Sequence, residues 1–273
     1  MGQMKDRYLI VGTGKSGMAV EKKKKKTGKS ILLFDSNEAV KIQDVMGRWN
    51  VLLEEKQEDL TLDEHEIQVG SLSEVQMESI KTAVISPGVP IDSPLVLSLK
   101  EKGIDVIGEI ELAYLLGKGQ VVGITGTNGK TTTTALTGEI MKAYYQSTYV
   151  VGNIGIPYTN VALDTKEDTV TVAEISSFQL ESVNEFHPKV TAVLNITPDH
   201  LDRHHTMETY IDTKLSITKK QTKDEVCVLN YEDEVLRERS KDLVAKVLFF
   251  SSKRELENGI YLNENQELVA AFD

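Results

Sequence analysis

The feature that most constrains this chain is the stretch Gly123-Ile-Thr-Gly-Thr-Asn-Gly-Lys-Thr131. An apolar run, Val121, Val122 and Ile124, enters a loop of glycine, threonine and asparagine, and a helix is expected to start near Lys130. Strand, glycine loop and helix in that order make an anion cradle. Glycines let the backbone turn its N–H groups toward a ligand. The helix start adds the positive end of its dipole. Lys130 contributes a point charge, and the Thr131 hydroxyl can bind Mg²⁺. A nucleoside triphosphate site is predicted. The general phosphate-loop pattern is nevertheless broken: the glycine it requires five positions before Gly129 is Ile124 here.

The rest of the chain reads as two α/β domains. A length of 273 residues suits two cores. Short apolar runs at Tyr8–Val11, Ile31–Phe34, Ala83–Ile85 and Val106–Ile107 predict strands, with helices over Ser93–Lys102 and Glu109–Leu116. Gly117-Lys-Gly119 is the expected joint, giving domains 1–117 and 118–273. Beyond the phosphate loop, strands are expected at Thr169–Ala173, Val190–Asn195, Val226–Leu229 and Val247–Phe250, and helices at Thr131–Tyr144 and Tyr210–Lys220. Such alternation implies mostly parallel sheets in both halves. The tract Glu21-Lys-Lys-Lys-Lys-Lys26 interrupts the first expected helix, since five consecutive lysines cannot all face water on a helix packed on a sheet.

Acidic residues outnumber basic ones by 42 to 31, for a net charge of −11. That balance argues against nucleic acid and membrane surfaces as partners. No apolar run approaches the roughly 18 residues of a membrane span. The N-terminus lacks the pattern of a secretion signal, so a cytoplasmic protein is expected. The single cysteine, Cys227, lies in an apolar run and is expected in the core.

A second glycine loop, Gly12-Thr-Gly14-Lys-Ser-Gly17, follows the first strand, and Asp35 ends the next one. Alone, this is the dinucleotide fingerprint, with Asp35 on a ribose hydroxyl. It would make a nicotinamide-dependent dehydrogenase. The loop reports only a diphosphate near a ribose, however, and a uridine diphosphate also qualifies. With a triphosphate loop further along, one domain is expected to hold a diphosphate-containing substrate and the other ATP.

Further candidates follow the phosphate loop. Asn153 lies in the turn Val151-Gly-Asn-Ile-Gly-Ile-Pro157. Glu174 ends a strand, with Ser176, Ser177 and Gln179 just beyond it. His200 follows another strand end, and Lys214 lies in a later helix. Ligands of open α/β sheets bind beyond the carboxyl ends of strands, where Glu174 and His200 both fall. A carboxylate and an imidazole can complete Mg²⁺ sites, although magnesium prefers oxygen and His200 could equally be a capping residue. His204 and His205 read as solvated, and Asp199 and Asp202 as helix caps.

Taken together, these residues resemble the Mur ligases, the ATP-dependent amide-forming enzymes of peptidoglycan synthesis. Thr125-Gly-Thr-Asn-Gly-Lys-Thr131 is similar to that family's own phosphate loop, which accounts for the broken general pattern. Glu174-Ile-Ser-Ser-Phe-Gln-Leu180 is similar to the segment of the D-glutamate-adding branch. Ser86-Pro-Gly88, Gly108-Glu-Ile-Glu111, Gly152-Asn-Ile-Gly155, Asn195-Ile-Thr-Pro-Asp-His-Leu-Asp-Arg203 and Lys214-Leu215 extend the likeness over nearly the whole chain. The resemblance implies a Rossmann-like N-terminal domain followed by a P-loop ATPase central domain. It implies UDP-N-acetylmuramoyl-L-alanine and D-glutamate as substrates, ATP and Mg²⁺ as cofactors, and a monomer.

Residue by residue, the resemblance implies that Gly126, Thr127, Asn128, Gly129, Lys130, Thr131 and Thr132 bind ATP. Thr131 and Glu174 would hold one Mg²⁺, and Glu174, His200 and Lys214 a second, with Lys214 carbamylated as in the family. Lys130, Glu174, His200 and Lys214 are the implied catalytic set. Asn153, Ser176 and Gln179 would touch the muramoyl-alanine end, and Gly14, Lys15, Ser16, Asp35, Ser36, Ser86, Pro87 and Gly88 the uridine diphosphate. The family's third domain and its Gly-x-His-Asn-x-x-Asn segment have no counterpart here. A poorly active, incomplete ligase is therefore expected, with a UDP-sugar and ATP binding module without turnover as the alternative.

Overall fold

The computed structural model describes residues 7–12, 30–43 and 66–272. Gly14, Lys15, Ser16 and the lysine tract lie outside the described residues. The chain divides into two compact units, Met1–Leu116 with Pro157–Leu163, and Gly117–Ile156 with Asp164–Asp273.

The first unit is built on five strands, β1 (Arg7–Val11), β2 (Ile31–Asp35), β3 (Glu66–Val69), β4 (Ile80–Ile85) and β5 (Asp105–Ile107). They lie in the order β3-β2-β1-β4-β5, all parallel. The central strands are continuous apolar runs because both faces of a parallel sheet are covered. Leu9, Val11, Leu32 and Phe34 pack in one cluster with Val96 and Leu99, while Ile10, Ile31, Leu33 and Val84 pack in another with Leu112. Helix α1 (Glu74–Ser79), absent from the sequence reading along with β3, opens on a capping box between Ser73 and Gln76. Helix α2 (Pro94–Glu101) carries proline in its first turn, where the missing N–H costs nothing. Helix α3 (Glu109–Leu116) buries Glu109, Ile110, Glu111, Leu112 and Ala113.

Glu109 is 5% exposed, and its Oε1 accepts the Thr159 N–H at 2.7 Å. Thr159 belongs to Pro157–Leu163, a segment remote in sequence that packs in this unit beside α3. The carboxylate thus fastens the 3₁₀ turn Tyr158–Asn160 to the helix.

The second unit holds β6 (Gln120–Thr125), α4 (Lys130–Tyr144), β7 (Thr148–Gly152), β8 (Val170–Glu174), α5 (Ser177–Leu180) and β9 (Val190–Val193). There follow α6 (Leu201–His204), α7 (Met207–Leu215), β10 (Val226–Asn230), α8 (Glu234–Arg239), β11 (Lys246–Ser251), β12 (Gly259–Leu262) and β13 (Leu268–Ala271). The strand order is β13-β12-β11-β10-β9-β6-β8-β7, and all neighbours are parallel except β12 and β13. Helix α4 lies close against the sheet through Gly138, where a Cβ would fall 2.2 Å from Val150 Cγ2. The expected helix over Tyr210–Lys220 ends earlier: α7 stops at Leu215 and a 3₁₀ turn, Ser216–Thr218, follows. Cys227 is fully buried, as its apolar neighbours imply.

In each sheet the chain reverses direction of travel beside one strand. From β1 the order runs to β2 on one side and β4 on the other; from β6 it runs to β8 and to β9. Ligands of open α/β sheets bind at such switch points, and β1 and β6 are the strands that enter the two glycine loops.

Burial raises the Glu109 carboxyl above its ordinary value of 4.5, opposed by the hydrogen bonds from Thr159. The folded chain therefore keeps this proton to higher pH than the unfolded chain. Stability from this group is complete below pH 4.5 and is lost as pH rises through the folded value. Glu109→Gln keeps the acceptor for Thr159 and removes the titration. The urea midpoint of the variant is expected to fall less between pH 4.5 and pH 7 than that of the parent, and equal slopes would rule Glu109 out as the source.

Candidate active site

The loop after β6 needs its glycines. Gly126 has φ +147°, and a Cβ there would lie 3.1 Å from Leu194 Cβ and 3.2 Å from Leu194 N. Gly129 has φ +83° and caps α4 in the left-handed region. Between them the loop interlocks with the segment that leaves β9. Thr127 N donates to Asn195 O at 2.9 Å. Asn128 N donates to Asn195 Oδ1 at 2.8 Å, and Asn195 Nδ2 donates to Asn128 O at 3.0 Å. The Thr127 hydroxyl donates to Thr197 O at 3.1 Å, accepts from Thr197 N at 3.0 Å and lies 3.1 Å from the Tyr210 hydroxyl. The N–H groups of Thr127 and Asn128 are therefore turned away from any anion in the loop. Those of Lys130, Thr131 and Thr132 belong to the first turn of α4, where no intrahelical acceptor exists.

Two lysines converge on one loop carbonyl. Lys130 Nζ donates to Gly126 O at 3.0 Å and to Thr127 O at 2.8 Å. Lys214 Nζ donates to the same Gly126 O at 2.9 Å. Lys214 is 2% exposed and lies 4.7 Å above the Tyr210 ring. Burial, reinforced by the charge of Lys130 and opposed by Asp199, lowers its pKa to about 7.

Glu174, 2% exposed, stands at the end of β8. Its Oε2 accepts the Thr131 hydroxyl at 2.9 Å and its Oε1 accepts Asn153 Nδ2 at 2.8 Å. Asn153 N also donates to Glu174 O at 2.9 Å. This turn needs Gly152, whose φ is +107° and whose Cβ would lie 2.1 Å from Glu174 O. Hydroxyl and carboxylate oxygens meeting beside a phosphate loop are the donors that Mg²⁺ prefers, so Thr131 and Glu174 fit that ion.

The other implied metal residues are not gathered in the same way. His200 has φ +52° and caps the single turn of α6. Its ring packs on Phe178 at 4.9 Å between centroids, and its Nε2 is 3.5 Å from Asp199 Oδ2. Lys214 is tied to the phosphate loop. Among the described residues, no three His, Cys, Asp or Glu side chains converge as a metal-binding group. Asp199 accepts the His200 N–H at 2.9 Å, but the cap position itself is His200.

Ser176 and Gln179 already serve each other as the capping box of α5, with Ser176 N donating to Gln179 Oε1 at 3.0 Å and Gln179 N to Ser176 Oγ at 3.3 Å. His204 corrects the sequence reading: it is 2% exposed, not solvated. Its Nε2 is 2.9 Å from Ser177 Oγ and its Nδ1 is 3.5 Å from Glu181, which also pairs with Arg203. The ring is enclosed by Ser177, Phe178, Glu181 and Tyr210, which take it out of water. His205 is exposed. In the first unit, Ser86 Oγ donates to Val11 O at 3.2 Å, which sets Ser86-Pro87-Gly88 beside Gly12. Asp35 Oδ1 accepts Asn37 N at 2.9 Å, and Ser36 is exposed.

Sequence reasoning assigned no role to Asn195 or Tyr210. Asn195 stands at the head of a quoted motif, and Tyr210 lies four residues before Lys214, on one helix face with it.

A profile described as the Mur ligase middle domain matches residues 124–271, and one described as the Mur ligase MurD-like N-terminal domain matches residues 6–108. A UDP-N-acetylmuramoylalanine–D-glutamate ligase of Lachnoclostridium phytofermentans is 49% identical over 95% of this chain and 55% of its own length. Its counterpart in Lachnospira eligens is 52% identical over 93% and 54%, and that of Clostridioides difficile 43% identical over 98% and 57%. The chain thus spans about half the length of the curated relatives it matches. Among solved structures, the UDP-N-acetylmuramate:L-alanyl-gamma-D-glutamyl-meso-diaminopimelate ligase of Neisseria meningitides superposes with a TM-score of 0.55 at 15% identity, over 97% of this chain and 84% of that one. At that identity the likeness speaks for the fold, which agrees with an N-terminal α/β unit and a phosphate-loop unit in sequence. On the two profile matches together, the chain belongs to the Mur ligase family.

Proposed function

We propose that this chain carries the nucleotide-handling machinery of a UDP-N-acetylmuramoylalanine–D-glutamate ligase. In this reading the first domain, 1–117, holds UDP-N-acetylmuramoyl-L-alanine, and the second, 118–273, holds ATP and Mg²⁺. The observation that carries the reading is the Thr131–Glu174 contact at 2.9 Å, next to a loop with Lys130 at its end. The names of the relatives at 49% and 52% identity support the choice of D-glutamate as the incoming amino acid. The protein would act as a cytoplasmic monomer on small anionic substrates and not on nucleic acid. No helix among the described residues is long and apolar enough to cross a membrane.

The chemistry follows from the weakness of a carboxylate as an acylating agent. A carboxylate oxygen of the L-alanyl end attacks the γ-phosphorus of ATP, and the bond to ADP breaks. The amine of D-glutamate then attacks the acyl carbon, inorganic phosphate leaves, and the amine gives up a proton. Phosphoryl transfer depends mainly on positioning and charge neutralisation. The N–H groups of Lys130, Thr131 and Thr132 and the ammonium of Lys130 would hold phosphate oxygens. Thr131 and Glu174 would hold Mg²⁺, which neutralises charge on the phosphates when bound. Asn153 keeps the Glu174 carboxylate turned toward Thr131. His200 and Lys214 would join a second ion only once Lys214 is carbamylated, which turns its amine into a carboxylate-like group. A pKa of about 7 leaves much of that amine unprotonated at neutral pH, the form that takes up carbon dioxide.

Titration calorimetry with ATP and Mg²⁺ tests the site. Lys130→Ala removes charge-assisted hydrogen bonds of about 1.5–3 kcal/mol, so affinity is expected to fall by about ten- to a hundredfold. Unchanged affinity would sink the loop assignment. The same titration followed by UDP-N-acetylmuramoyl-L-alanine, D-glutamate and a phosphate assay separates a ligase from a binding module.

Lys214 supplies a pH signature. Its folded pKa, about 7, lies below its ordinary 10.5, so between those values the unfolded chain binds the extra proton. Stability is expected to rise with pH across that window. In buffer free of carbon dioxide, Lys214→Met should abolish that rise in urea midpoints. With ¹³C-bicarbonate, the parent should show a carbamate carbon resonance that the variant lacks. A parent with neither feature would remove Lys214 from the site.

A further inference from the structure

We infer that Asn195 is a positioning residue for the phosphate loop, fixing which backbone amides face the nucleotide; this rests on the ATP reading above. The side chain spans Asn128 on both its polar groups, accepting its N–H at 2.8 Å and donating to its carbonyl at 3.0 Å. The Asn195 carbonyl takes the Thr127 N–H as well, at 2.9 Å. One residue therefore consumes both amides in the middle of the loop. The amides of Gly129 and of the first turn of α4 are left to meet phosphate, so the loop works as a strapped helix cap and not as a cradle closed all round.

Asn195 can act in this way because it is held from behind. Asn230 Nδ2 donates to Leu194 O at 3.1 Å, and Asp233 Oδ2 accepts the Ile196 N–H at 2.7 Å. Both anchors stand at or just past the end of β10. Asp233 also caps α8, its Oδ1 accepting the Leu236 N–H at 3.1 Å. The Leu194–Thr197 segment is thus gripped by the neighbouring strand end on one side and grips the loop on the other. Asn195 itself is only partly buried, so water can replace its hydrogen bonds when it is removed. The cost of losing it falls on loop geometry, with little on the fold.

Two variants separate positioning from general structure. Asn195→Ala removes both side-chain bonds to Asn128. Asn195→Asp keeps the acceptor, loses the donor, and sets a carboxylate oxygen against the Asn128 carbonyl. ADP–Mg²⁺ affinity is measured by calorimetry on the 273-residue chain, with thermal midpoints and amide hydrogen exchange over Thr127–Asn128. Asn195→Ala is expected to bind about tenfold more weakly, since the loop must then be ordered on binding at a cost of about one ordinary hydrogen bond. Asn195→Asp is expected to bind more weakly still, since it adds repulsion. Asn195→Ala should exchange the Asn128 amide faster, whereas Asn195→Asp, which keeps the acceptor for it, should not, both with the thermal midpoint unchanged. The inference is overturned if both variants bind within twofold of the parent, if Asp binds as well as or better than Ala, or if affinity falls only in step with the thermal midpoint. A parent that binds no ADP overturns the nucleotide reading and this role together. Failure of the role alone looks different: Lys130→Ala loses ADP and neither Asn195 variant does.

Discussion

Everything in the second unit hangs on β6 lying between two parallel neighbours that end at the same level. Ile175 N donates to Ile124 O at 2.8 Å on one side, and Leu194 N to Thr125 O at 3.0 Å on the other. The chain must then leave the sheet in a space already flanked by two other departing segments. Gly126 takes that place: its φ of +147° disfavours a side chain, and a Cβ would crowd Leu194 at 3.1 Å. The loop beyond it reaches Glu174 on the β8 side through Thr131 and Asn195 on the β9 side through Asn128. Strand order thus decides which residues can meet before any of their chemistry matters.

Charge at this point runs against the character of the whole chain. The protein carries a net charge of −11, yet Lys130 and Lys214 share a single carbonyl oxygen. Two cations so close repel, and burial adds to the strain on Lys214, whose pKa settles near 7. A bound polyphosphate would relieve that repulsion, and so would conversion of the Lys214 amine to a carbamate. The Glu174 carboxylate faces the hydroxyl of Thr131 and the side-chain amide of Asn153. The ammonium groups are held on loop carbonyls, whereas the carboxylate meets the Thr131 hydroxyl at the start of α4.

The sequence made the strands and the loop visible because their signals are local. Continuous apolar runs marked the buried parallel strands, and glycines with a lysine marked the anion site. Helix α1 and β3 escaped because β3 is half-buried along its length and α1 buries no residue fully, so neither shows a period. His204 was misread for a different reason. Polarity suggested solvent, but its burial is set by Ser177, Phe178, Tyr210 and Glu181, which only the fold assembles. Ser176 and Gln179 show the converse: their spacing is also that of a capping box, a local pattern open to reading from residues alone. Asn195 could be quoted but not interpreted, since its partners are 67 residues away.

The two units solve one steric problem twice. In the first, a Cβ on Gly12 would fall 2.8 Å from Ser86 Oγ, the residue that follows β4. In the second, a Cβ on Gly126 would fall 3.1 Å from Leu194, the residue that follows β9. Each glycine ends the strand at a switch point, and each crowding residue follows the neighbour to which the chain crosses last. The polar fastening can be followed in both. Ser86 bonds Val11 O through its hydroxyl and its N–H, and Gly12 N donates to Phe34 O. The Leu194–Thr197 segment takes hold of three consecutive loop residues, from the Gly126 contact to both polar groups of Asn128. A diphosphate needs a turn that opens onto it, while transfer from a triphosphate needs a loop that does not move as charge shifts along it. The fastening by Leu194–Thr197 lies in the unit whose proposed chemistry demands rigidity, and Asn195 is where most of it is concentrated.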